Sequence, residues 1–266
     1  MSYTLSHLKL GGILDQAISL TKNHFGVLFQ ILAIVYIPFS IVSSFAVLSV
    51  LPPPPETPEQ AVAYQQAVGQ NLPLVMTMGL LSAFVILPLT NAAIVHAVAH
   101  FYLGKSASAV DSIKVGLKRV VPLIWTSILM GIAIMGGLIL LIIPGILCLF
   151  WFALSTHVVV LEGINGGAAL GRSRKLVSGN MGTLFVLLLM IGIISYAVGM
   201  VAGLVPQLQV QVVLRILLQA VMTVFSAAAL VVFYFSCRCS HENFDLEHLA
   251  ESMGEAVPEA VEPDGF

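Results

Sequence analysis

At 266 residues, 58% hydrophobic and only 9% charged, with a mean hydropathy of +1.00, the chain carries more apolar surface than one water-soluble core can hide. The net charge of −2 says little as a total, because orientation in a bilayer depends on where Lys and Arg lie. Three cysteines, Cys148, Cys237 and Cys239, fall in or beside apolar runs and imply no disulfide framework.

In residues 5–24, Leu10, Ile13, Leu14, Ala17, Ile18 and Thr21 recur at helical spacing while Asp15, Lys22 and Asn23 face away. This predicts an amphipathic helix lying along a membrane surface. Residues 25–51 then form an apolar run longer than the roughly 20 residues a span needs. Pro38 is expected to kink it, and the run is expected to be retained rather than cleaved as a signal peptide. Four prolines, Pro52 to Pro55, open the one sizeable polar loop, with a short helix expected near residues 60–68. Residues 74–103 form a second span rich in polar insertions, among them Thr77, Ser82, Thr90, Asn91, His96 and His100. The basic amphipathic stretch SASAVDSIKVGLKRV follows. Spans at 121–143 and 146–161 make a hairpin about a turn at Pro144-Gly145, and GGAALGRSRKLVSGNMG leads into spans at 183–204 and 212–235. The membrane domain therefore covers 1–239, and 240–266 is an acidic tail expected to be partly disordered.

Charge is strongly sided. Lys9 and Lys22 precede the first span, Lys105, Lys114, Lys118 and Arg119 lie between the second and third, Arg172, Arg174 and Lys175 lie between the fourth and fifth, and Arg238 follows the sixth. The loops after spans one, three and five hold no Lys or Arg, and only Arg215, inside the sixth span near its outer end, breaks the pattern. The positive-inside rule then places both termini in the cytoplasm of a cell whose inner, plasma membrane the chain crosses. The stretches before spans one and five align without gaps, Gly11, Leu20, Gly26, Leu28 and Phe29 matching Gly167, Leu176, Gly182, Leu184 and Phe185. The expected fold is thus all-α and integral to the membrane: six transmembrane helices with three cytoplasmic interfacial amphipathic helices, each preceding a transmembrane hairpin.

Several pieces resemble a known family. They are Leu103-Gly104, Ile143-Pro144-Gly145, VVVLEG at 158–163, and LGRSRKLVSGN with Leu170, Arg172, Ser173, Leu176, Gly179 and Asn180. The ending FYFSCRCSHENFDLE, with Tyr234, Arg238, Phe244, Asp245, Leu246 and Glu247, is similar too, although Cys237 and Cys239 replace the charged residues more usual there. Together they resemble the family named after the membrane domain of glycerophosphoryl diester phosphodiesterase. The resemblance implies a membrane portion alone, because the soluble phosphodiesterase barrel of longer relatives has no counterpart in the sequence.

His96 and His100 share a helix face at a spacing that can ligate metal, with His157 or Glu162 as a third group, but HAVAH lacks the glutamate of zinc proteases. Cys237, Cys239 and His241 make a cramped thiol and imidazole cluster. No GxSxG, HExxH or phosphate-binding loop occurs, so no catalytic residue, metal or cofactor is expected. Thr90, Asn91, His96, His100 and Gln219 are candidates for polar groups turned into the bundle. Small-residue faces occur at Gly136-Gly137 and at Gly199 with Gly203. Lys118, Arg119, Arg172, Arg174 and Lys175 are candidates for contact with lipid headgroups, and Glu162 for pairing with the basic run. The amphipathic basic segments read as membrane-surface helices, so lipid or a protein partner is expected and nucleic acid is not. The leading expectation is a non-enzymatic scaffold or auxiliary subunit whose bundle is sealed. A transporter or lipid-handling protein would instead show a polar path, and an intramembrane enzyme would gather the histidines at one point.

Overall fold

The computed structural model describes residues 6–52, 55 and 57–242, and the acidic tail from 243 onward lies outside the described residues, as do Pro53 and Pro54 of the proline run. Among the described residues there are helices and no strand. Six of these helices are long and apolar enough to cross a membrane.

Helix α1, Leu10–Asn23, buries Ile13, Ala17 and Leu20. That face packs against the last helix of the chain, and the Leu8 N–H adds a hydrogen bond of 2.8 Å to the Ser236 hydroxyl. Helix α2 is the first candidate span, Phe25–Leu48. Helix α3, Pro58–Gln70, begins with a reciprocal cap in which Thr57 and Gln60 each bond the other's backbone N–H. Helix α4, Leu72–Tyr102, is the second candidate span.

Both spans contain a widened, π-helical turn, Leu32–Tyr36 in α2 and Ser82–Ile86 in α4. In each case the N–H just past the turn, of Ile37 or Leu87, reaches a carbonyl five residues back, and a proline follows at Pro38 or Pro88. A proline has no N–H and its ring crowds the preceding turn, so opening that turn by one residue accommodates it without breaking the helix.

Helix α5, Ala109–Leu140, corrects the expectation of a separate second surface helix. Ser108 caps it, accepting the Asp111 N–H at 3.1 Å and donating to the Asp111 carboxylate at 2.6 Å. From that cap the basic amphipathic stretch runs into the apolar span without interruption. A stop comparable to Gly179 at φ +89, which separates the corresponding helix from its span later in the chain, does not occur there.

The turn after α5 also differs from expectation. The chain reverses at Leu141, which is extended, and α6, Ile142–Trp151, starts at once. Pro144 therefore sits in the first turn of a helix, where its missing N–H would have had no partner anyway. Gly145 serves close packing: a Cβ on Gly137 would lie 2.9 Å from its Cα, so the two helices meet backbone to backbone. Gly136 and Gly199 meet nothing within 4 Å, and of the expected small-residue faces only Gly137 is used in this way.

After α6 the helix breaks, and α7, Ser155–Leu161, completes the fourth candidate span. Helix α8, Gly166–Val177, buries Ala169, Leu170, Ser173, Leu176 and Val177. Helix α9, Met181–Gly203, and helix α10, Leu208–Glu242, are the fifth and sixth candidate spans. The aligned stretches share burial as well as sequence, since Leu20 and Leu176, and Leu28 and Leu184, are all fully buried.

Helix α10 is the axis of the structure. Within its most apolar window 56% of residues are buried, against 6–33% in the other five candidate spans. It carries Ala220, Ala228 and Ala229 against an α4 that offers Ala92, Ala93 and Ala97, all fully buried, and such small side chains let helix backbones approach closely.

Candidate functional site

Polar residues recur along α10 at Arg215, Gln219, Thr223 and Ser226, a spacing of three or four that puts them on one face. Two cavities open on that face. The first, of about 460 Å³, lies between α2, α4 and α10 and is lined by Tyr36, Ser40, Ser43, Ser44, Ser82, Arg215 and Gln219, with Val212 and Ile216. Tyr36 and Ser82 come from the two widened turns, so both prolines shape its wall. The second, of about 320 Å³, lies between α4, the broken fourth span and α10. Its polar lining is Asn91, Thr156, His157, Gln219, Thr223 and Ser226. Gln219 lines both cavities.

The break in the fourth span is what brings His157 there. The Leu154 N–H leaves the helical pattern and donates to the Ser173 hydroxyl at 3.1 Å, and Ser173 donates to the Trp151 carbonyl at 2.7 Å. Ser155 closes the same turn through the Phe152 carbonyl at 2.7 Å. A broken helix at membrane depth is tolerated only where protein or a wet cavity satisfies the freed backbone, and Ser173 of α8 does so here. Just beyond the break, His157 is 4% exposed, yet neither ring nitrogen has a hydrogen-bond partner. Buried polar groups are nearly always paired, so two orphaned nitrogens at a cavity wall mark a place where a ligand or water belongs.

Below the second cavity α10 enters a charged cluster. The Tyr234 hydroxyl donates to Glu162 at 2.7 Å, and Arg172 Nε donates to the same carboxylate at 2.8 Å. Arg172 also bonds Glu242, which Arg238 Nε reaches at 2.9 Å. The cluster ties the end of the fourth span, α8 and α10 together, and the Arg172 pKa is raised, chiefly by its hydrogen bond to Glu242. Nearby, the Arg174 guanidinium lies 4.1 Å over the Trp151 ring, and that of Arg119 packs against Gly163, whose φ is +75. Lys118 and Lys175 are exposed.

The remaining candidates fall elsewhere. Thr90 is buried and donates to the Ile86 carbonyl at 2.7 Å within its own helix. His96 Nδ1 lies 3.2 Å from the Ser112 hydroxyl of α5, and His100 Nδ1 lies 3.0 Å from the His96 carbonyl, with the two rings 4.1 Å apart. These three residues line neither cavity, and His157 and Glu162 belong to the separate environments described above. Cys237 and Cys239 are buried, while His241 Nε2 lies 2.8 Å from the Ser178 carbonyl. Among the described residues no three His, Cys, Asp or Glu side chains gather where they would hold a metal ion. The cavity residues that sequence reasoning did not single out are the serines of α2 together with Tyr36, Thr156, Thr223 and Ser226. The three- and four-residue spacing from Arg215 to Ser226 was the available signal.

Among the described residues the chain is helical without strands, with six candidate spans long and apolar enough to cross a membrane and polar cavities beside the central one, and these features suggest a multi-pass membrane protein. Residues 127–262, just over half of the chain, match the family described as a domain of unknown function, DUF8558, and the chain belongs to that family. No curated protein and no solved structure matches it.

Proposed function

We propose that this chain is a multi-pass membrane protein of the transporter or lipid-handling class, and not an enzyme, whose ligand moves along the polar face of α10. The observation that carries the reading is Gln219, shared by two cavities whose combined lining is rich in hydroxyl, amide and imidazole groups. Ser43, Thr223 and Ser226 donate to carbonyls of their own helices, but both ring nitrogens of His157 have no partner, and polar groups are expensive in hydrocarbon, so a chain that gathers them around open space gains from filling it. A sealed scaffold would place alanine or leucine at these positions instead.

The sided distribution of Lys and Arg supports an arrangement in a plasma membrane with both termini cytoplasmic. The Glu162, Arg172 and Glu242 cluster then closes the inner end of the path, and the Arg215 cavity is nearer the outer face. Exposed cations on the inner side, Lys118, Arg174 and Lys175, would add attraction to anionic lipid of about 1 kcal/mol each. The kinship with the membrane domain of glycerophosphoryl diester phosphodiesterase is part of this proposal as a likeness of architecture, with no hydrolytic activity carried over.

The test is native mass spectrometry of protein purified in mild detergent, comparing wild type with Asn91→Leu and Gln219→Leu. A lipid or small molecule bound in stoichiometric amount by the wild type and lost from both variants is the expected result. If nothing binds, or if lipid leaves all three proteins equally, the reading fails and the scaffold reading takes its place.

A further inference from the structure

Arg215 is the one basic residue that the sided charge pattern leaves unexplained. It lies about 10 Å past the start of α10 at Leu208, taking ~1.5 Å per residue. It enters no ion pair among the described residues. Among the described residues its cavity is lined by no carboxylate: the polar groups around it are the hydroxyls of Tyr36, Ser40, Ser43, Ser44 and Ser82 and the amide of Gln219. A guanidinium is always charged and offers a planar fork of donors, and while the Ser43 hydroxyl donates to the Ser40 carbonyl at 3.2 Å, the hydroxyls of Tyr36, Ser40, Ser44 and Ser82 and the Gln219 amide can turn their own O–H or N–H toward a common point. A wall made of one permanent cation and several adjustable donors, with no competing anion among the described residues, is complementary to a negatively charged oxygen cluster.

We infer that the cavity between α2, α4 and α10 is an anion site in which Arg215 binds a phosphoryl group, with Ser40 and Ser44 of α2 and Ser82 of α4 completing its hydrogen bonds. This rests on the ligand path of the preceding section and names the chemistry of what enters it. The phosphoryl group could belong to a lipid headgroup or to free phosphate, and both present the same oxygens to Arg215.

Delipidated protein in mild detergent would be titrated with phosphatidylglycerol, phosphatidylethanolamine and inorganic phosphate and read by native mass spectrometry. Arg215→Gln should weaken phosphatidylglycerol by about tenfold or more, the usual worth of a charge-assisted bond, and Arg215→Lys by less. Should Arg215→Gln fail to fold, Ser40→Ala with Ser44→Ala takes its place, with a smaller loss expected. If inorganic phosphate binds by itself or displaces the lipid, the source is a free anion; if phosphatidylglycerol binds and phosphate does not compete, it is the headgroup. Phosphatidylglycerol affinity unchanged in Arg215→Gln overturns the inference. If a ligand is meanwhile lost in Gln219→Leu, the path itself stands with a neutral occupant, whereas a wild type that binds nothing fails both.

Discussion

Ser173→Ala should be among the most damaging single-atom deletions in the chain. The side chain is fully buried on α8, and its hydroxyl serves the two backbone groups freed by the break in the fourth span, accepting the Leu154 N–H and donating to the Trp151 carbonyl. Alanine fits the same space, so the effect isolates the hydrogen bonds. Each buried group left without a partner costs about 1–3 kcal/mol, and the pair should cost about 2–4 kcal/mol. For a chain of this size that corresponds to a fall of about 5–10 °C in melting temperature. Thermal unfolding in mild detergent, followed by helical circular dichroism, measures it. Ser155→Ala is the comparison, because its hydroxyl meets the Phe152 carbonyl within the same turn and, at 3.6 Å, the weakly accepting sulfur of Met130, and should cost about 1 kcal/mol. If Ser173→Ala melts within a degree of wild type, the break is stable without α8 and the argument from Ser173 to the placing of His157 is wrong.

Glu162→Gln removes the carboxylate shared by Arg172 and Tyr234 and should destabilise by about 1–3 kcal/mol in the same assay. Lys114→Gln, which breaks a largely exposed pair with Asp111, should change nothing measurable. Gly137→Ala should splay the α5 and α6 hairpin and cost about 1–3 kcal/mol, whereas Gly136→Ala, with open space around it, should be neutral; melting temperatures compare the two. His24 stacks on Phe101 with ring centroids 3.9 Å apart, and partial burial holds its pKa below the ordinary value of 6.5. The fold thus favours the neutral ring, so this contribution is complete above pH 6.5 and is lost as pH falls below it. His24→Gln should flatten the decline in melting temperature between about pH 7 and about pH 5, and an unchanged slope would remove His24 from the account.

Much of the fold was legible because the bilayer imposes simple rules on sequence. Six apolar runs of sufficient length appear as six candidate spans, the fourth of them broken into α6 and α7, and the helix inside the polar loop announces itself by Thr57 and Gln60. Asn91 and Gln219 are expected to turn inward, since neither tolerates acyl chains; both line one cavity, where Asn91 is half-buried and Gln219 is exposed. The continuity of α5 was harder to read, because amphipathic and apolar segments have the same local preference for helix and only a stop signal separates them. Glycine at a positive φ supplies that stop after α8, and nothing equivalent stands before Val121. The break at residues 152–154 left no mark in a run of apolar and aromatic residues: the backbone groups it frees are satisfied by a serine some twenty positions later in another helix. The placing of His157 at a cavity wall was hidden with it. His96 and His100 drew notice through their spacing, but spacing along one helix says nothing of the Ser112 hydroxyl that meets His96 from α5.

The reversal between α5 and α6 puts Ile139, Leu140, Leu141, Ile142 and Ile143 at 68–80% exposure. None of these side chains offers water a hydrogen bond, so this corner is finished by its solvent rather than by the protein. Hydrocarbon must reach the tip, and a bilayer too thin to do so has to thicken around it at a modest cost for each ångström of mismatch. The stability of the hairpin should therefore depend on acyl-chain length, rising in vesicles of longer lipids until the tip is covered and levelling off beyond. A protein indifferent to chain length would place this corner against another surface instead.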